Sequence, residues 1–427
     1  MSATRMKWLR LTLLGVLSGV LSGLVVLAFH AAVGLGQGLM LPPGREGNYE
    51  GLTAWSRLLL PIAGGLLLGS VFDRIPAKHR QVGVVHVLRR LHTPGGERLP
   101  AINLITQFFG AVAAIVAGHS VDKEGPSVHI GAASANLIGQ RMHVAAEEDY
   151  TLAACGAAAA IAAAFNTPLA GVIFVVEVLR VRYEVSRFLP VIVASVVGAV
   201  MNRILLSSDP TFIVPPSVMH THWELPNLVL LGLVIGLLAV AFIVLCETVA
   251  IRTRDWSNLK TFTLAGVVTG ILAIWTPEIM GTSYDTLSEL LAGNAGGALA
   301  LALVITKLLA TGTAIGLRVP GGLIGPTLLI GGAAGYVLAY LFGMYEPIDV
   351  ASPSFYATVG MVAMMGATLR APLAALTALL ELTANPNIIL PGMIAVASAE
   401  LTNRLLLGKD SVFEILLKIQ IGAPRSP

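Results

Sequence analysis

The sequence predicts an all-α integral membrane protein built as an inverted-topology repeat, with many of its membrane segments short and broken. Three observations predict it. The 427 residues are 55% hydrophobic and only 12% charged, and the mean hydropathy of +0.80 lies far outside the soluble globular range. Forty-five glycines and alanine runs such as AACGAAAAIAAAF suit helices packed backbone to backbone, because lipid supplies no hydrophobic contrast between helices. The short alternating segments of a membrane β-barrel are not seen. Finally, the chain matches itself. CGAAAAIAAAFNTPLAGVIFVVEVL aligns with VGMVAMMGATLRAPLAALTALLELT, so Gly156 to Pro168 repeats the twelve-residue spacing of Gly360 to Pro372, and Pro168 to Glu177 the nine-residue spacing of Pro372 to Glu381. Upstream, EGPSVHIGAAS aligns with IGPTLLIGGAA, pairing Gly125 and Pro126 with Gly325 and Pro326.

The elements follow in order. The apolar run that opens the chain is too long for a signal peptide and lacks an AxA-type cleavage site, so it reads as the first membrane helix. Arg5, Lys7 and Arg10 precede it, and the polar stretch 74–98 holds Arg74, Lys78, Arg80, Arg89, Arg90 and Arg98. The positive-inside rule places both in the cytoplasm. Arg180, Arg182 and Arg187, then Arg252, Arg254 and Lys260, and finally Arg404, Lys409, Lys418 and Arg425 read the same way, so both termini are expected there. Linkers 206–227, 276–297 and 343–354 contain acids but no Lys or Arg, which turns them outward. The polar stretch after the second span is basic in the first half (VGVVHVLRRLH) and acidic in the second (MGTSYDTLSELLAG), and this reversal of sign is what inverts one half against the other.

Segments 127–140, 151–165, 169–179, 354–367 and 371–382 are shorter than the ~20 residues a straight span needs. Non-helical backbone survives in a bilayer only where protein or a water-filled cavity satisfies it, so these breaks point to a pathway through the middle. Inverted halves bring half-helix N-termini together near the midplane, where exposed N–H groups favour an anion. The charged stretch GHSVDKEGPSVHIGAA, 118–133, lies at such a break.

Other chemistries fit poorly. Cys155 and Cys246 sit in apolar runs and form no CxxC motif, so neither a disulfide framework nor a thiol site is expected. His119 and His129 are ten residues apart across a Gly-Pro break, a poor match to zinc spacing, and read as packing or pore-lining residues. No metal and no cofactor is expected. The net charge of +3 is carried by loops and ends and gives no reason to expect nucleic acid. Neither GxSxG nor HExxH occurs, which disfavours a membrane-embedded hydrolase. A mere scaffold would not place Asp122, Lys123 and Glu124 within its spans, given the cost of each charge there.

DKEGP at 122–126, GGLIGP at 321–326, and the paired segments AAAFNTPLAGVIFVVEVL and LRAPLAALTALLELT together resemble the CLC family of chloride channels and anion/proton exchangers over nearly the whole chain. The resemblance implies an inverted repeat of about eighteen membrane segments, assembled as a homodimer with one anion pathway per subunit. One transmembrane domain is expected over 1–427, with repeats at 10–205 and 227–408 and no soluble C-terminal regulatory module. The short chain resembles prokaryotic members, which implies the bacterial inner membrane. Lipid and a small inorganic anion, chloride first, are the implied partners.

Residue by residue, the resemblance implies that Glu124 is the gating carboxylate. It would compete with the anion for the N–H groups of Lys123, Glu124 and Gly125, while Leu323 and Ile324 offer theirs to a central site. Pro126, Gly322 and Pro326 complete the two filter segments. The departures are several. Val82 stands where the family has an anion-coordinating serine, with Gly83 kept beside it. Pro386 falls where an inner tyrosine is expected, and Ile324 replaces the filter phenylalanine. Asp122 replaces a small residue; it would either oppose the charge of Glu124 or be neutralised by Lys123, and the sequence does not rank the two. Val178 replaces the proton-transfer glutamate, and its neighbour Glu177 is expected to pair with an Arg or Lys, or else to serve as a substitute relay for protons. These departures lean towards channel-like, uncoupled conduction. The alternative is an anion/proton antiporter, including one for an anion other than chloride.

Overall fold

The computed structural model describes all residues except 1–2, 46, 94–97, 183, 207–211, 213, 216–218, 220, 222–223, 346–350, 409 and 423–427. Lys409 and Arg425 therefore lie outside the described residues, as do the side chains of Arg5 and Lys7. The first eight helices are α1 (Ala3–Met40), α2 (Ala54–Arg74), α3 (Gly83–His92), α4 (Ala101–Val116), α5 (Glu124–Arg141), α6 (Ala146–Phe165), α7 (Pro168–Glu177) and α8 (Val185–Leu205). The next eight are α9 (Leu225–Arg252), α10 (Asn258–Ala273), α11 (Tyr284–Leu291), α12 (Gly297–Gly316), α13 (Ile324–Tyr345), α14 (Pro353–Leu369), α15 (Pro372–Thr383) and α16 (Ile389–Leu407), and α17 (Val412–Ile421) follows. Six of them are long and apolar enough to cross a membrane; α3, α7, α11 and α15 are short pieces of eight to twelve residues.

The packing repeats itself. Helix α5 lies on α6, α6 on α8 and α1 on α8, and in the same way α13 lies on α14, α14 on α16 and α9 on α16. Across the two halves, α2 packs on α10 and α7 on α15. Local chemistry repeats too. Helices α6 and α14 end on residues in the left-handed conformation, Asn166 and Arg370, and α7 and α15 then start with Pro168 and Pro372, where the missing N–H leaves no helical bond unmade. Close approach of α5 to α6 requires glycine at both contacts, since a Cβ on Gly131 would meet the Gly156 carbonyl oxygen at 2.4 Å and one on Gly156 would meet that of Gly131 at 2.2 Å. Gly331 and Gly360 repeat this between α13 and α14, at 2.3 and 2.4 Å.

Glu177 and Glu381 make the inversion explicit. Glu177, closing α7, accepts hydrogen bonds from the Leu373 and Ala374 amides in the first turn of α15 at 3.2 and 2.7 Å. Glu381, late in α15, accepts from the Leu169 and Ala170 amides in the first turn of α7 at 2.9 and 2.8 Å. Each helix caps the start of the other, which two helices do only when they run antiparallel. The expected pairing of Glu177 with an Arg or Lys is thus corrected: its carboxylate is spent on backbone amides, and no ion pair involves it among the described residues.

Candidate functional site

Two interruptions meet at the centre. The links α4–α5 and α12–α13 meet in a single antiparallel pairing of Asp122 with Gly322, each amide donating to the other's carbonyl at 3.0 Å. Helices α5 and α13 start directly after it, at Glu124 and Ile324, so their first, unpaired N–H groups face one small region. Gly125 and Gly322 permit this: a Cβ on Gly125 would lie 2.7 Å from the Gly322 Cα. The amides of Lys123, Leu323 and Ile324 meet no acceptor among the described residues. Pro126 and Pro326 fall within the first turns of α5 and α13, where proline is tolerated.

Glu124 is 1% exposed, and neither of its carboxylate oxygens has a protein hydrogen-bond partner of normal geometry. The fully buried phenol of Tyr284, the first residue of α11, interacts with it, and the Lys123 ammonium lies 5.7 Å from the centre of the same ring. Of the two options for Asp122, the structure favours opposition to the charge of Glu124, and its carboxylate is held by backbone amides. Its Oδ1 accepts from the amides of Glu124 and Gly125 at 3.1 and 3.3 Å, and its Oδ2 from Gly325 at 2.5 Å. Asp122 therefore bridges the starts of α5 and α13.

Two cavities flank this junction. One, of about 260 Å³, is lined by Val82, Gly83, Gln107, Gly125, Leu323 and Phe413, with Arg80, Arg89 and Arg318 also on its wall. The other, of about 230 Å³, is lined by Lys123, Tyr284, His30 and Tyr49. Glu124 lines neither and sits in sequence between Lys123 on one and Gly125 on the other. At the second cavity Arg45 bridges Asp285 at 3.0 Å, Glu50 at 3.4 Å and Glu289 at 2.7 Å, which ties the α1–α2 link to α11.

Val82 and Gly83 are the N-cap and first residue of α3, with no side-chain cap. Gly83 has φ +78°, a conformation that favours glycine. Pro386 is corrected. It starts an exposed 3-10 turn between α15 and α16 and does not line the cavity, because the chain crosses the whole of α16 before returning. Phe413, in the first turn of α17, lines the first cavity together with Phe72 and Phe262.

Two polar groups escape sequence reasoning. Gln107 on α4 is fully buried; its Oε1 accepts from the Gly83 amide at 2.5 Å, while its Nε2 has no partner in a side chain that lines the first cavity. His86 on α3 stacks on His129 of α5 at 5.1 Å between ring centres, with Nδ1 and Nε2 2.9 Å apart. Arg90 donates from Nε to His86 Nε2 at 3.1 Å. That fixes His86 as an acceptor at Nε2 and a donor from Nδ1 to His129. His119 is buried with both ring nitrogens unpartnered. Val178 is 5% exposed at the end of α7, among apolar neighbours.

A family model described as voltage gated chloride channel matches residues 64–404. The chain belongs to that family. It is 30% identical over 322 residues to the H(+)/Cl(-) exchange transporter ClcA of Vibrio cholerae, covering 73% of this chain and 69% of that one. It is also 30% identical over 372 residues to a ClcB-like protein of Ralstonia nicotianae, covering 84% and 85%. Among solved structures it resembles a slow cyanobacterial Cl-/H+ antiporter with TM-score 0.86 and 22% identity, covering 97% and 98% of the two chains. A CLC-type fluoride/proton antiporter superposes with TM-score 0.80 and 22% identity, covering 97% and 99%. The chain is thus an integral membrane protein of the CLC family, whose members move anions as channels or exchangers, and the fold it shares with those structures is the CLC fold.

Proposed function

We propose that this CLC protein carries small inorganic anions, chloride first, along a path that runs from one cavity to the other past Glu124, with Glu124 as its gate. The observation that carries the reading is Glu124 itself: a carboxylate with no hydrogen bond of normal geometry, buried at the start of α5 between two cavities lined by cationic residues. A carboxylate there competes with an anion for the same positive helix ends, so its neutralisation or displacement opens the path. The free amides of Leu323 and Ile324 serve a central anion, and the Nε2 of Gln107 supplies the side-chain donor that Val82 lacks. The cavity carrying Arg80, Arg89 and Arg318 faces the cytoplasm on the loop-charge reading, which also puts both termini there. A homodimer in the bacterial inner membrane, with repeats at 10–205 and 227–408, completes the proposal.

Coupling to protons divides into two readings. Val178, where exchangers carry an acid, favours uncoupled conduction. The relatives named exchange transporters favour antiport. The gate is tested in liposomes: Glu124→Gln is expected to raise anion flux and flatten its pH dependence, and flux with unchanged size and pH profile would sink the assignment.

A further inference from the structure

We propose that Asp122 is a tethered occupant of the outer anion site, holding with its own carboxylate the amides that would otherwise hold a free anion. This rests on the reading of the junction as an anion path. The outer site was expected from the amides of Lys123, Glu124 and Gly125. Two of these, Glu124 and Gly125, already donate to Asp122 Oδ1, and Gly325 on the facing helix donates to Oδ2. Asp122 is fully buried, and every partner of its side chain is an N–H donor, the environment of an ionised carboxylate. In charge, shape and donor set it stands in for a bound anion.

Two independent features agree. The first is the gating carboxylate. A glutamate at a helix start settles on the amides there, yet neither oxygen of Glu124 makes a hydrogen bond of normal geometry, while the amides of Glu124 and Gly125 donate to Asp122. The second is Lys307 on α12, which is 0% exposed. Its ammonium gives three hydrogen bonds, to the Ile279 and Gly281 carbonyls at 2.9 and 3.1 Å and to Ser283 Oγ at 2.7 Å. All three acceptors are neutral, so the buried positive charge needs a countercharge nearby. The acids that act on it are Asp122 and Asp285, and Asp285 is bound to Arg45. Asp122 is the acid left to balance Lys307. Asp122 thus occupies the outer amides, and free anions bind on the amides of Leu323 and Ile324 even when Glu124 withdraws.

Bromide is the probe, applied to the purified full-length protein. Anomalous diffraction is expected to show no bromide on the Glu124, Gly125 and Gly325 amides of the native chain. Asp122→Gly, and the charge-balanced double variant Asp122→Asn with Lys307→Met, should each gain one bromide there, with apparent affinity by calorimetry rising about tenfold. Bromide at that position in the native protein, or none in variants that remain folded and monodisperse, overturns the proposal. Flux through Glu124→Gln is measured in parallel. If it is unchanged while the Asp122 variants gain bromide, the gate reading fails and this inference stands; the opposite pair of results fails the inference alone.

Discussion

At the residue scale, the buried side chains around the filter divide into those that hold backbone amides and those that leave a group spare. Asp122 belongs to the first kind, Glu124 and Gln107 to the second. Gln107 is the more informative, since its two ends do different things: the oxygen fixes the Gly83 amide and the Nε2 is left without a protein acceptor. Gln107→Glu keeps the acceptor, removes the donor and adds a negative charge beside the cavity. Chloride flux in liposomes is expected to fall about tenfold, from the loss of one donor plus charge repulsion, while the melting temperature in detergent changes little. Unaltered flux would remove Gln107 from the path. Nothing in the sequence marks this residue, because Gln107 lies in an apolar helix 24 positions from the glycine it holds.

At the element scale, the short helices α7 and α15 are held as a reciprocal pair. Each gives its acid to the first-turn amides of the other, and charge-assisted bonds of this kind at a helix start are worth about 1–2 kcal/mol. Glu177→Ala is therefore expected to lower the thermal midpoint, and Glu381→Ala to lower it by a similar amount. Glu177→Gln, which keeps one acceptor, should recover part of the loss. A proton-relay role predicts something else: Glu177→Gln would leave the midpoint alone and abolish proton movement in a pH-dye assay. The equal nine-residue spacing of Pro168 to Glu177 and Pro372 to Glu381 was legible in the sequence. Its purpose was not, since alignment shows that two positions correspond without showing that they cross over to serve each other.

For the whole molecule, the open question is whether anion movement is tied to protons. The purified protein in liposomes, with voltage clamped and an anion gradient imposed, either acidifies against the proton gradient or does not. Uncoupled conduction predicts anion flux with no uphill proton movement, and uphill movement establishes antiport. If antiport holds, protons need a route that avoids Val178, and the His86–His129 pair would then be the first residues to replace. The same molecule shows how a global pattern fails locally. The resemblance put Pro386 at the inner end of the path, because it follows the last matched segment; the chain instead passes through α16 and brings Phe413 of α17 to the cavity that Val82 and Gly83 line.

By itself the sequence determined the class of solvent, the helical architecture, the inverted duplication and the two segments that meet where α5 and α13 start. Each of these is written in local composition or in a spacing that recurs, and so survives without knowledge of contacts. The partners of each buried polar group were decided only by the tertiary structure. Asp122 on the Gly325 amide 203 residues away, Lys307 held by the stretch 279–283, and the crossed caps of Glu177 and Glu381 are long-range pairings. In a bilayer a polar group without a partner is costly enough that whichever chain segment comes within reach becomes that partner, and reach is a property of the folded molecule.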